Sequence, residues 1–310
     1  MFEVSHFLKG ASMTNMTNEA RILAKHPDLV GECPTWDAER QRLLWTDNRS
    51  RRIYAYRPAS GSVETILDGT QAYAFTLQRD GSLLLFLGGA RVALAMNGEV
   101  STLLDGIPGE EHKRFNDVCV DSAGRVLCGL LGPADDGSGA LYSLSLEAKG
   151  MNARPTKLYD GLRLPNGMAL SADERLLYLA DTWARKVLVF DYDPHSGAAA
   201  RPREFIDFSS GEGGPDGITL DAEGCLWVAV VDSWTVARYA PDGTLRQSVR
   251  LPARKPTSVA FGGEGMKTLF ITSASRQSTP GEEVGPAGGA LFGLETDTRG
   301  NLEQRTDWRR

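Results

Sequence analysis

Four short motifs hold the side chains best equipped for chemistry: Gly31-Glu32-Cys33-Pro34-Thr35-Trp36-Asp37, Phe115-Asn116-Asp117, Pro165-Asn166-Gly167 and Pro215-Asp216-Gly217. Each stands just ahead of an apolar, strand-like run. Glu32 and Asp216 offer carboxylates, while Asn116 and Asn166 offer amide oxygens. All four are hard oxygen donors of the kind that hold Ca2+, Mg2+ or Mn2+. No His or Cys shares their level, because Cys33 occupies the next position, so Zn2+ and Fe2+ are the less favoured alternatives. Two carboxylates against one dication leave the site near neutral, and such a site can still acidify water for hydrolysis. Taken singly, Asn-Gly or Asp-Gly after Pro is ordinary turn chemistry. It is the recurrence of all four at one place in a repeat that points to a site. Arg114 lies two residues before Asn116, so on an extended segment the two side chains share a side. Arg114 could receive a substrate carboxylate or carbonyl oxygen, or pair with one of the ligand carboxylates.

The repeat itself is a short apolar strand, a turn with Asp or Gly, and a second apolar strand. Its copies begin at residues 34, 75, 118, 168, 218 and 259, at intervals of 41, 43, 50, 50 and 41. A third strand follows in most copies, as in Arg52-Ile53-Tyr54-Ala55-Tyr56, and then a more polar fourth, as in Val63-Glu64-Thr65-Ile66-Leu67. Four strands per 40 to 50 residues predict a propeller blade, and six copies predict an all-β, six-bladed β-propeller with four antiparallel strands per blade. The last copy lacks a fourth strand and has only a polar tail. An extra strand, Ala20 to Ala24, precedes the first copy. Placed in the sixth blade, it closes the ring and hides a sheet edge. The expected organisation is a loose tail over residues 1–18 and one domain over 19–310. In such a ring the residues two places before each apolar triplet, Glu32, Tyr73, Asn116, Asn166, Asp216 and Thr257, surround one mouth of the central channel.

The formal charge of −6 argues against nucleic acid as a partner. The apolar stretch from Leu83 to Met96 is too short and too interrupted to span a bilayer. The four cysteines form no Cys-x-x-Cys pair and read as reduced thiols, with a Cys119–Cys128 bridge disfavoured. The expected setting is cytoplasmic, as a monomer or weak homo-oligomer. Asp47 and Asp181, at the ends of second strands, are expected to bond to turns, and His112 to lie on the surface. There is no Gly-x-Ser-x-Gly elbow, and Asp191 to Gly197 fails the calcium-loop pattern and reads as a hairpin turn.

Taken together and in order, Glu32 near Pro34 and Trp36, Arg114-Phe115-Asn116-Asp117, Pro165-Asn166-Gly167 and Pro215-Asp216-Gly217 resemble the regucalcin (senescence marker protein), gluconolactonase and luciferin-regenerating-enzyme-like family. The resemblance covers roughly residues 20 to 295. It implies one divalent metal, Ca2+ first, held by Glu32, Asn166 and Asp216, with Asn116 as a further ligand or substrate contact and Arg114 as a substrate contact. It also implies hydrolysis of a lactone, with Asp216 as both ligand and general base. Tyr73 adds an aromatic substrate contact. The chain departs from the family at Val118, where Gly is common, and at Leu130-Leu131, with Asp135 just beyond. The leucines suggest a less polar substrate than a free sugar-acid lactone. Two other readings remain: a phosphotriester or other ester hydrolase on the same site, and a non-enzymatic calcium-binding propeller.

Overall fold

A computed structural model describes residues 19–146 and 153–308; the tail expected at residues 1–18 lies outside them. The described residues form six four-stranded antiparallel sheets, five of them in simple up-and-down order. Their only helix is a short 3-10 turn at Glu264–Met266. The sheets are the blades of a β-propeller. Their innermost strands are Gly31–Asp37, Ala74–Leu77, Arg114–Val120, Pro165–Leu170, Gly214–Leu220 and Pro256–Gly262. Most of these strands and their hairpin partners are buried, Arg114–Val120 being half-buried apart from Phe115, whereas outer strands such as Ser62–Asp68 and Ala198–Asp207 are mostly exposed. Burial on both faces explains why the second strands, such as Val126–Leu131 and Leu226–Val231, read as nearly continuous apolar runs rather than as alternating ones.

The ring closes as the extra strand predicts. Arg21–Ala24 pairs antiparallel with Leu291–Glu295 and becomes the outer strand of the sixth blade. Neighbouring blades meet through aromatic side chains. Trp36 stacks on Phe270 across the closure, with ring centres 5.5 Å apart. Edge-on pairs join Phe86 to Phe115, Tyr159 to Phe190, Phe208 to Tyr239 and Trp227 to Phe261. Such pairs contribute about 0.5–1.5 kcal/mol each beyond the area they bury. Between the first two blades the thiol of Cys33 donates to the carbonyl of Phe75 at 3.3 Å.

The C-terminal segment is more than a polar tail. Beyond Glu295 it runs under the ring as a strap. Gly300 bridges to Asp221 on the fifth blade, and Arg305 pairs with Asp37 and Glu39 on the first, at 3.1 and 3.0 Å. Thr306 bridges to Gln78 on the second blade. Trp308 is 3% exposed and donates through Nε1 to the carbonyl of Gly124 on the third, at 3.1 Å. The strap covers the channel mouth opposite the predicted ring of donors. It leaves a shaft of about 400 Å3 lined by Asp117, Val118 and Cys119 with Leu302 and Glu303 of the strap.

All four cysteines are free. Cys119 faces Leu127 in the ladder while Val118 faces Cys128. Cys119 and Cys128 therefore point to opposite sides of the sheet, and no bridge can form between them. No helix among the described residues is long and apolar enough to cross a membrane.

Candidate active site

In five of the six blades the inner strand slips register with its partner at the same place. The breaks fall between Glu32 and Thr35, Phe115 and Val118, Pro165 and Met168, Pro215 and Ile218, and Pro256 and Ser258. A bulge leaves a residue out of the ladder and re-aims its side chain. Asn116, Asn166, Asp216 and Thr257 fall within these breaks, and Glu32, still paired with Thr46, borders its own. The second blade pairs without a break, and Tyr73 stands just before its short inner strand. With Tyr73 included, all six positions line one cavity of about 500 Å3 at the open mouth of the channel, and Arg114 lines it too.

The Pro-Asn-Gly and Pro-Asp-Gly motifs are thus bulged strand positions rather than turns. Their glycines are needed for closeness. A Cβ on Gly167 would lie 2.6 Å from the carbonyl of Asp216, and one on Gly217 would lie 2.5 Å from the Cα of Ser258. The inner strands converge here, and only Gly lets their backbones touch. Two aspartates at the ends of second strands hold the approaches. Asp47 accepts the amides of Leu29 and Val30 at 2.9 and 3.1 Å, just before Glu32. Asp181 accepts those of Arg163 and Leu164 at 3.0 and 2.8 Å, just before Asn166.

The electrostatics of the cup disfavour bare carboxylates. Burial, then the charges of Asp216 and Asp117, push Glu32 well above the usual carboxylate range, with Arg114 opposing. Burial, then Asp117 and Asp232, push Asp216 well up too, with the Asn166 amide opposing. Asp216 is 6% exposed, and its Oδ1 has no hydrogen-bond partner. An orphaned buried carboxylate oxygen is expensive unless something charged or protic meets it. Asn166 donates its amide to Thr182 Oγ1 at 3.1 Å, and that hydroxyl donates to the carbonyl of Pro215 at 2.7 Å. This relay fixes the amide and leaves Asn166 Oδ1 as the atom a cation could use. Glu32, Asn166 and Asp216 therefore fit a hard divalent ion. Among the described residues no three His, Cys, Asp or Glu side chains cluster at metal-ligand geometry; the donor set is two carboxylates and an amide.

Asn116 is placed differently. Its amide donates to the carbonyl of Pro165 at 3.0 Å, and its Oδ1 accepts from Arg114 Nη1 at 2.6 Å. With both ends engaged, it positions Arg114. The Arg114 guanidinium also lies 4.4 Å from the centre of the Tyr73 ring, so two neighbours fix its plane. Thr257 spends its hydroxyl on the carbonyl of Gly31 and on Thr272 Oγ1, at 2.5 and 2.9 Å, and so acts as a structural member of the ring.

Other expectations fare differently. Leu130 and Leu131 are buried and do not line the cavity, so they offer no apolar contact to a substrate there. Asp135 lies outside the cavity as well. It binds Arg163, whose Nη1 donates to the carbonyl of Trp183 at 2.9 Å, and Trp183 does line the cavity. His112 is exposed and does not line it. The repeat could not reveal Arg49, Thr182, Trp183, Asp232 and Arg276, which also line the cavity. They come from connections after the second strands, where the copies share no phrase.

The fold and cup define a six-bladed propeller with an acid–amide donor set at one channel mouth. The family model described as the SMP-30/Gluconolactonase/LRE-like region matches residues 30–275, and the chain belongs to that family. It is 35% identical to a pentonolactonase of Haloferax volcanii, over 90% of this chain and 95% of that one. It is 34% identical to a 6-deoxy-6-sulfogluconolactonase of Pseudomonas putida, over 93% and 98%. Among solved structures, the calcium-binding protein regucalcin from Agrobacterium tumefaciens superposes with a TM-score of 0.84 at 25% identity, covering 94% of this chain and 97% of that one.

Proposed function

We propose that the protein is a metal-dependent lactonase that opens a sugar-acid lactone by hydrolysis. The observation that carries this reading is the unpartnered, buried Asp216 Oδ1 beside Glu32 and Asn166, in a family whose similar members are named for opening sugar lactones. Glu32, Asn166 and Asp216 would hold the ion, Ca2+ by the character of the donors. A divalent cation bound there supplies Lewis-acid polarisation of a carbonyl oxygen.

The chain's own residues do the rest. Arg114, held by Asn116 and Tyr73, presents its remaining N–H groups to a substrate oxygen in a fixed plane. That pre-orientation lowers the entropic part of the barrier. Water adds to the lactone carbonyl carbon, and Asp216 takes its proton as general base. The ring C–O bond then breaks, the proton passes to the leaving ring oxygen, and a hydroxy acid departs. The strap blocks the far end of the channel, so substrate and product use the open mouth.

The test is ring-opening of a panel of aldonolactones, with chelator and then with Ca2+, Mg2+, Mn2+, Zn2+ and Fe2+ restored separately. Turnover is expected only with metal, and Asp216→Ala is expected to remove it. Full turnover after complete chelation would overturn the reading.

A further inference from the structure

The chain is acidic overall, yet its open cavity is basic. Five cationic side chains, Arg49, Arg114, Arg185, Lys255 and Arg276, line it against three carboxylates, Glu32, Asp216 and Asp232. Two of those carboxylates are the candidate metal ligands, so a bound cation leaves still more positive charge unbalanced. The excess is not spread evenly. On the side of the fifth blade, Lys255 binds Glu282 and Ser278 at 2.9 and 2.7 Å and lies 3.7 Å from Asp232. Arg185 spends its guanidinium on the carbonyls of Phe208 and Gly211.

Where the sixth blade meets the first, the charges are unmatched. Among the described residues, the guanidinium groups of Arg49 and Arg276 have no ion pair and no hydrogen bond. Both are exposed at the lip. Both are tied by backbone to one two-residue segment: the amide of Arg276 donates to the carbonyl of Leu29, and that of Asn48, next to Arg49, donates to the carbonyl of Val30. Arg49 and Arg276 therefore flank the same short segment, one from each blade. Arg49 is also near enough to Arg114 for its charge to disfavour the protonated Arg114 guanidinium. Three guanidiniums thus line one cavity, and among the described residues no carboxylate pairs with the outer two. Guanidinium is the side chain best shaped for bidentate binding of carboxylate, sulfonate or phosphate.

We infer that the substrate is a lactone carrying a second, anionic group at the end remote from its carbonyl, and that Arg49 and Arg276 bind that group at the lip. The inference rests on the lactonase reading for the position of the carbonyl. It makes Arg49 and Arg276 specificity residues, and it assigns the chain to charged sugar lactones over neutral ones.

The experiment compares a neutral aldonolactone with the same ring bearing a terminal carboxylate, sulfonate or phosphate, on the metal-loaded protein. The best anionic lactone is expected to exceed its neutral parent in kcat/KM by about 10- to 100-fold, the span that hydrogen bonds to charged groups convert to. That advantage should lie mainly in KM and shrink as NaCl rises from about 50 to 500 mM. Arg49→Ala or Arg276→Ala should each cut the anionic-to-neutral ratio about tenfold or more, and Arg49→Lys should restore part of it. A ratio near one for every anion, or one unmoved by either variant, overturns the inference while leaving the lactonase reading intact. If no lactone of either charge is opened, the lactonase reading has failed. The arginine site is then judged alone, by calorimetry with a phosphorylated aldonate and its unphosphorylated parent. Tighter binding of the phosphorylated form, lost in Arg49→Ala, supports it, and equal binding overturns it.

Discussion

Asp117→Asn is expected to stabilise the metal-free protein, and to do so more at pH 8 than at pH 5. Asp117 lies just below the donor cup, and its Oδ1 accepts the amide of Val118 at 2.7 Å. No cation faces it. Burial pushes its carboxyl up to about 7. Burial against the shaft walls, then the charge of Asp117, push the carboxyl of Glu303 on the strap up to about 7 as well. For Asp117 the folded state holds the proton more tightly than the unfolded state, whose value is about 3.9. Stability is therefore full below about pH 4 and falls as pH rises from about 4 to 7. Three units at ~1.4 kcal/mol each give roughly 4 kcal/mol lost at pH 8, against roughly 1.5 kcal/mol at pH 5. Asn keeps the acceptor for Val118 and removes the charge. For a chain of 310 residues, an unfolding entropy of about 2.1 cal/mol/K per residue makes 1 kcal/mol worth about 1.5 °C. Asp117→Asn should thus raise Tm by about 6 °C at pH 8 and about 2 °C at pH 5. Scanning calorimetry with excess chelator reads this directly. Millimolar Ca2+ should shrink the gain, because a cation in the cup favours the ionised form. A change that is equal at both pH values, or destabilising at pH 8, would mean that the shaft is wet and that its carboxylates ionise freely.

Metal binding should register as stability. Ca2+ at a hundredfold excess over Kd should add about 2.7 kcal/mol, or about 4 °C in Tm, and Asp216→Asn should abolish the shift. Gly217→Ala forces a Cβ toward the Ser258 backbone. It should displace Asp216 and weaken Ca2+ affinity at least tenfold by calorimetric titration, with the strand content by circular dichroism kept. Trp308→Ala empties a buried site in the strap, and urea unfolding should show a loss of about 3–5 kcal/mol.

Much of the architecture can be read from the chain alone because a propeller repeats. Each blade must bury both faces of its inner hairpin, so each copy rewrites the same apolar phrase. Six copies and one extra strand, Arg21–Ala24, set blade number and closure without coordinates. The same repetition aligns Glu32, Tyr73, Asn116, Asn166, Asp216 and Thr257, and all six line one mouth. Where repetition stops, the sequence falls silent or misleads. Leu130 and Leu131 look like substrate contacts beside the family's motifs, yet their strand buries them. The segment after Glu295 looks merely polar, yet Trp308 and Arg305 strap it across the far mouth.

The sequence by itself determined the ring and the donor types, because local hydrophobic periodicity and a repeated motif are properties of neighbouring residues. Only the tertiary structure decided which donors are free. It assigns Asn116 to Arg114, Thr257 to the backbone of Gly31, and Asp216 Oδ1 to nothing. It alone brings Arg49 and Arg276 to one lip from residues more than two hundred positions apart. A hydrogen bond, or the lack of one, depends on distances between distant segments, and ring closure sets those distances.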